Sequence, residues 1–426
     1  MTKVLDLAPG AAIQTALDGI SGGVLRLLPG RHPSGALRLP SDTELHLMAG
    51  ADLVFAPEYE AYADNEVRVV AEGSTRALIT APGARDVAIT GPGRILAPGP
   101  AYVTGFDTEV GTHVTARLRP RVLVAEGVKG LRLEGFTVEA SPMWTLHLVG
   151  CRDVVVKGVT VLNDRRLPNT DGIVIDACQG VRVEDVTIDT ADDGVCLKTS
   201  AGAGVCRDVV VRRVSVQSQS CALKIGTESH GDISDITFED CQVRDSNRAL
   251  GIFSRDGGRI ERVRFANIAV DCHETHDGFW GSGEAITITA LSRVAARPAG
   301  AVRDVVFQGI SGRMEGAICL IGRGVEVSDI TFSDIALRQE VGALGTAQNA
   351  DMRPTPADLA VASGAKGRAN AWTKDPAGRL LGVEPYPGGL PGLYAEGVTQ
   401  LRLDGLHIER PEPLPEGWSG QPVDRR

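Results

Sequence analysis

The chain has 426 residues, of which 44 are basic and 54 acidic, and its formal charge of −10 argues against a nucleic-acid backbone as its main partner. Glycine fills 51 positions while aromatic residues make up only 4%, the composition of a turn-rich protein built from small and aliphatic side chains. No apolar run reaches the ~18 residues that span a bilayer, and the eight cysteines form no C-x-x-C pair, which removes the usual zinc and thioredoxin signatures.

The first residues, Met1 to Asp6, do not open an apolar signal segment, because Asp6, Gln14 and Asp18 interrupt it. The expected location is the cytoplasm as written, or secreted or periplasmic if a leader has been removed. Ala11 to Leu17 place apolar residues at helical spacing ahead of Gly19 and predict a short capping helix, so residues 1–50 are read as an N-terminal cap and first coils.

From about residue 130 a unit recurs in which a polar or glycine pair precedes apolar-x-apolar. Its first apolar positions are Phe136, Val159, Val186, Val214, Cys241 and Ile268, separated by 23, 27, 28, 27 and 27 residues, and Ile310, Ile335 and a weaker copy at Leu406 follow. Cys151, Cys178 and Cys206 share the spacing. Each unit is too short to bury its own apolar face, so neighbours must stack. The predicted fold is all-β, a right-handed single-stranded parallel β-helix in one domain over 1–426. Residues 340–395 break the pattern and read as an irregular excursion or a C-terminal cap, and 409–426 as a tail.

Aligning the strand that follows each unit puts Leu146, Ile173, Val195, Leu223 and Ile252 in one inward row. His147, Val174, Cys196, Lys224 and Phe253 then point outward together, as do Asp176, Lys198 and Arg255. Asp171 and Asp193 fall at one height on adjacent coils, about 4.8 Å apart, with Asp192 beside them. Like charges this close are costly unless one is protonated or a substrate uses them. Asp-Gly is also ordinary turn chemistry, and stacked Asn or Asp side chains bond to backbone in β-helices. Three carboxylates beside Lys198, Lys224, Arg255, His147 and Trp144 on one wall favour a reactive site.

These residues resemble glycoside hydrolase family 28, the polygalacturonase family. Asn169-Thr170-Asp171-Gly172 matches its N-T-D-G motif, Asp192-Asp193 with Lys198 matches its G-D-D motif and following lysine, and Ser141 to His147 resembles the segment ahead of N-T-D-G. The family's G-H-G falls on Ser220-Cys221-Ala222, and its R-I-K is aligned with Phe253-Ser254-Arg255. The resemblance implies that Asp192 is the general acid and that Asp171 and Asp193 hold and activate water, giving hydrolysis with inversion. Such a pair generally stands ~6.5–9.5 Å apart, and crowding by two anions is expected to raise the pKa of Asp192. The implied substrate is an α-linked, galacturonic-acid-containing pectic chain. Asn169, Trp144, His147, Lys198, Lys224, Phe253, Arg255, His230 and Trp280 are its candidate contacts.

His230 is equally a solvated turn residue. His273, Glu274, His276 and Asp277 sit in an insertion without a helix or fixed supporting ligands, so no metal and no cofactor is expected there. Trp280 closes that insertion, where it can stack on a sugar ring or simply pack. Cys221 has no histidine partner in the sequence and reads as a structural replacement. Three readings stay open: an inverting glycosidase of pectic or rhamnogalacturonan-type chains, a calcium-dependent lyase or epimerase using Lys224 or Arg255, and an inactive binding module. The expected partner is a carbohydrate, with neither nucleic acid nor membrane.

Overall fold

Alternation of apolar and polar residues dictates short strands, and the computed structural model of the chain describes residues 3–20, 22–68, 73–108, 111–275, 280–344, 347–353 and 374–426. One coil shows the plan: Ile173–Asp176, Gln179–Glu184 and Thr187–Thr190, repeated on the next as Val195–Thr199, Cys206–Arg212 and Ser215–Ser218. Each strand pairs in parallel with its counterpart one coil on, as Ile173 does with Val195 and Val181 with Val209. Among the described residues, one wall is a 12-stranded sheet in chain order from Leu37–Arg38 to Val423–Arg425, and the other two walls merge into a 21-stranded sheet. Parallel crossovers of this kind wind right-handed, and the result is a right-handed parallel β-helix.

The glycine or polar residue that opens each repeat has a conformational reason. Gly135, Gly158, Asp185, Arg213, Asp240 and Asn267 all turn the chain at positive φ, between 50° and 80°, immediately before the buried apolar position. Glycine, asparagine and aspartate tolerate that region best. Arg213 is the exception, and its guanidinium is held by the Asp185 carboxylate at 2.6 and 3.1 Å.

The core is one continuous column from Ile13 to Ala395. Phe238, Phe265, Phe307 and Phe332 stack within it at ring separations of 4.8, 5.0 and 5.0 Å, one per coil. The predicted capping helix is Ile13–Ile20, which buries Ile13, Leu17 and Ile20 over the first coil. No helix among the described residues is long and apolar enough to cross a membrane.

Among the described residues, two antiparallel ribbons leave the coil. Val103–Asp107 pairs with Thr112–Thr115, and Asn349–Asp351 with Val383–Pro385. The second belongs to the 340–395 excursion, which lays Ala350, Met352, Tyr386 and Leu390 over Ala317, Cys319 and Ile321 of the 12-stranded wall. The segment read as a tail is part of the fold: Val423–Arg425 adds a last rung beside Leu393–Glu396.

Candidate active site

The three aspartates lie at the entrance to consecutive rungs of the 12-stranded wall. The backbone fixes them: Thr145 N donates to Asp171 O at 2.8 Å and Gly172 N donates to Asp193 O at 2.9 Å, so both residues are clamped between coils. Gly172 and Gly194 are required by crowding. A Cβ on Gly172 would stand 2.7 Å from Gly194 O, and one on Gly194 would stand 2.5 Å from Ala222 O. One carboxylate oxygen from each of Asp171, Asp192 and Asp193 lies within 4.8 Å of the others, and all three residues are buried.

Burial, then the charges of Asp192 and Asp193, drive the Asp171 carboxyl well above the usual range, against a partial pull from Lys198 and Lys224. Sequence reasoning did not single out Asp171 as a carboxyl driven upward. Asp193 is bound from two sides, by Lys224 Nζ at 2.7 Å on Oδ2 and by the Ser220 hydroxyl at 3.1 Å on Oδ1. Asp192 Oδ1 accepts the Asp193 amide at 3.0 Å. Among the described residues this trio is the one acidic group close enough to hold a cation, but Lys224 already supplies positive charge to it. The nearest-oxygen spacing is shorter than the ~6.5–9.5 Å expected, because neighbouring coils are themselves only ~4.8 Å apart. Two ~2.8 Å hydrogen bonds from one water still bridge oxygens at that separation.

The sequence profile of Glycosyl hydrolases family 28 matches residues 58–353, a stretch that contains all three aspartates. The chain belongs to glycosyl hydrolases family 28. A probable polygalacturonase of Vitis vinifera is 28% identical over 250 residues, which are 55% of this chain and 50% of the relative. The chain spans about half to three-fifths of the length of the curated relatives it matches. A family 28 exopolygalacturonase of Yersinia enterocolitica has the same fold, with a TM-score of 0.65 and 16% identity over 100% of this chain and 78% of its own. The polygalacturonase of Erwinia carotovora ssp. carotovora gives 0.64 and 20%, over 79% of this chain and 93% of its own.

Within this family 28 chain, strand pairing corrects one alignment. Leu223 pairs with Leu250 and Ile225 with Ile252, so the inward row is Leu223 to Leu250 and Lys224 stands beside Gly251, not Phe253. In R-I-K an apolar residue separates two outward basic ones, and the inward residue here is Ile252. The motif therefore falls on Gly251-Ile252-Phe253, and both basic positions are replaced. The Phe253 ring lies over the place a Gly251 side chain would take, 2.5 Å from its ideal Cβ. Lys224, Arg248 and Arg255 surround that ring at 5.4, 5.2 and 5.9 Å from its centroid.

Arg255 is corrected too. It points out of the coil as expected, but the 349–353 segment covers it. The guanidinium donates to the carbonyls of Ser254, Thr289 and Met352 and to Thr289 Oγ1 at 2.6 to 3.0 Å, which occupies it inside the fold. Burial, with Arg293 and Arg248 nearby, pushes it below the ordinary arginine range.

His147 turns Nδ1 toward Arg121 Nη1 at 3.1 Å and Nε2 toward Asp176 at 3.6 Å, with its edge on Trp144. Burial lowers it to about 4, so it is neutral near pH 7. Trp144 carries Lys198 Nζ 4.9 Å and the Arg121 guanidinium 4.8 Å from its ring centroid and acts as a platform beneath Lys198. Asn169 accepts from Arg119 at 2.9 Å and, at φ 61°, sets the turn that delivers Asp171. His230 lies against Arg297 at 2.6 Å and 3.6 Å from Asp256. Trp280 faces Arg353, whose guanidinium is 5.4 Å from its ring centroid. His273 pairs with Asp245 at 2.8 Å and the Glu274 amide donates to Glu315, while His276 and Asp277 lie outside the described residues.

Sequence reasoning missed the partners of these groups. Lys198 is paired with Glu228 at 2.9 Å, Glu228 with Arg293 at 3.3 Å, and Arg293 with Asp256 at 3.2 Å. Burial pushes the Glu228 carboxyl up, but Lys198 and Arg293 outweigh it and hold it far below the usual range. Glu228 and Asp256 are 28 residues apart, one coil step, and that spacing was the available signal. A second buried group, Arg248 with Glu284 at 3.3 Å and Asp351 at 3.2 Å, ties the excursion to the wall. Asp351 is 103 residues from Arg248, and no periodicity reports such a pairing.

Proposed function

We propose that this protein is an inverting glycoside hydrolase acting on α-linked, galacturonic-acid-containing pectic chains. The observation that carries the reading is the trio Asp171, Asp192 and Asp193, buried together on adjacent rungs in a family 28 chain. Asp192 is the general acid, protonating the leaving glycosidic oxygen. Asp193 with Asp171 holds the water, whose oxygen bonds to the anomeric carbon from the opposite side while a carboxylate takes its proton. The relatives' names, polygalacturonase and exopolygalacturonase, support a uronate substrate.

A mixed galacturonate and rhamnose backbone is the second reading, and Gly251 and Phe253 favour it. Where the motif has two basic side chains this chain has a glycine and a ring that is only 1% exposed, so neither position presents a cation to a uronate carboxylate. Incubating the protein with homogalacturonan, rhamnogalacturonan and neutral oligosaccharides, with products resolved by size and anomer, tests both. Cleavage of uronate-containing chains with an inverted anomer is expected. Turnover confined to neutral glycosides would overturn the uronate assignment, and no turnover of any of them would overturn the hydrolase reading.

A further inference from the structure

Lys224 reads from sequence as a contact for the sugar, but its position assigns it elsewhere. Its strand, Cys221–Ser229, lies one rung beyond Asp193, and its ammonium reaches back across the coil step to Asp193 Oδ2 at 2.7 Å. The pair is enclosed: the side chains are 13% and 2% exposed. The Ser220 hydroxyl closes the other Asp193 oxygen at 3.1 Å. The Phe253 ring lies beside the ammonium, with its centroid 5.4 Å from Nζ. Lys198, the second lysine, is committed to Glu228. Among the described residues no lysine or arginine is ion-paired to Asp171, so Asp171 and Asp193 differ in the ammonium that Lys224 brings to Asp193.

Resting on the hydrolase reading above, we infer that Lys224 is a positioning residue that fixes Asp193 as the ionised, water-activating member of the trio, rather than an anchor for a substrate carboxylate. The groups that face Asp193 are Asp171 and Asp192 across and beside it, Lys224 and Lys198, the Ser220 hydroxyl, and the Cys196 and Cys221 thiols. Burial pushes both thiols up, so they add no negative charge near neutral pH. For Lys224 burial opposes the charge, and the carboxylates, Asp193 foremost, outweigh it and keep the ammonium protonated. With one cation bound to Asp193 and burial acting on Asp171, the negative charge of the trio is localised on the Asp193 side. Such a bias separates acid from base before substrate arrives.

Two measurements test this, one of them independent of turnover. Lys224→Met and Lys224→Arg are made in the natural chain and in Asp193→Asn, and urea unfolding is followed at pH 7. Lys224→Met is expected to shift the unfolding constant tenfold or more in the natural background and less than threefold in Asp193→Asn, with Lys224→Arg between. Equal shifts in both backgrounds would show that Lys224 does not act through Asp193. In kinetics, Lys224→Met is expected to lower kcat tenfold or more, with KM within about twofold, on acidic and neutral substrates alike. The acid limb of its kcat/KM profile should move to higher pH, because the base has lost its counter-charge. Lys224→Arg should restore the limb. A KM rise confined to acidic substrates, with the profile unmoved, would instead make Lys224 a substrate anchor and overturn the inference. If the natural chain cleaves nothing, the hydrolase reading falls, and the unfolding cycle still decides whether Lys224 and Asp193 act as a unit.

Discussion

Replacing Glu228 by Gln should cost the fold about 3 kcal/mol at pH 7. Breaking a buried ion pair by removing one partner typically costs ~3–5 kcal/mol, because the remaining charge stays buried. Here Lys198, Glu228 and Arg293 have side chains only 6%, 13% and 14% exposed, so the exposed-pair range of ~0–1 kcal/mol does not apply. Arg293 keeps Asp256 at 3.2 Å after the substitution, while Lys198 loses its direct partner, which puts the cost at the lower end of the range. That corresponds to about a hundredfold in the unfolding constant at ~1.4 kcal/mol per factor of ten. Because the Glu228 carboxyl is held below its ordinary value of 4.5, its contribution is fully present above that pH and is lost as pH falls toward the depressed folded value. The gap between natural and variant protein in urea unfolding, followed by far-UV circular dichroism, should be flat from about pH 5.5 to 8 and narrow below about pH 4.5. A gap under ~1 kcal/mol at pH 7, or one that widens in acid, would refute the argument.

Asp192→Asn should lower kcat at least ~10²-fold with an unchanged melting temperature, since the amide keeps the shape and loses the proton; proton NMR of early products should show the inverted anomer in the natural enzyme. Asp171→Asn should also abolish turnover and yet stabilise the fold at neutral pH. A carboxyl whose folded pKa is raised destabilises the native state as pH climbs above the unfolded value of 3.8, so the variant's advantage in thermal melts should be present near pH 7 and vanish toward pH 3.5. Phe265→Ala, which removes the ring stacked against both Phe238 and Phe307, should cost ~4–5 kcal/mol in denaturant unfolding. Phe332→Ala, which loses only the stacked neighbour Phe307, should cost ~0.5–1.5 kcal/mol less, and equal costs would deny the stack an energetic role.

The fold was legible because one conformational demand repeats. A left-handed residue must precede each buried apolar position, so Gly158, Asp185 and Asp240 announce the coils wherever they fall. Asp171, Asp192 and Asp193 were legible for the same reason, since the coil step alone stacks them. The register at Leu250 was not. Inward and outward faces alternate with period two, so sliding that strand by two residues leaves every apolar residue on its face, and hydrophobic pattern cannot distinguish Leu250 from Ile252. Arg255 was read correctly as outward and wrongly as available, because its cover, Met352, lies 97 residues downstream. Glu228 sat in plain sight beside His230, but which of several cations it would neutralise depends on which one the coil winding brings next to it, here Lys198 and Arg293.

The recurring left-handed corner also bears on how such a protein can change over time. Each coil carries its own turning instruction in one residue and joins its neighbours only by parallel strands of matching height. Gain or loss of a whole 27- or 28-residue unit would therefore lengthen or shorten the column by one strand spacing, ~4.8 Å, without retuning the coils on either side. The reactive trio occupies just two consecutive rungs. Its geometry is indifferent to how many follow, so lineages could lengthen, trim or cover the wall, as the 349–353 segment covers Arg255 here, while inheriting the two-rung chemical cassette intact.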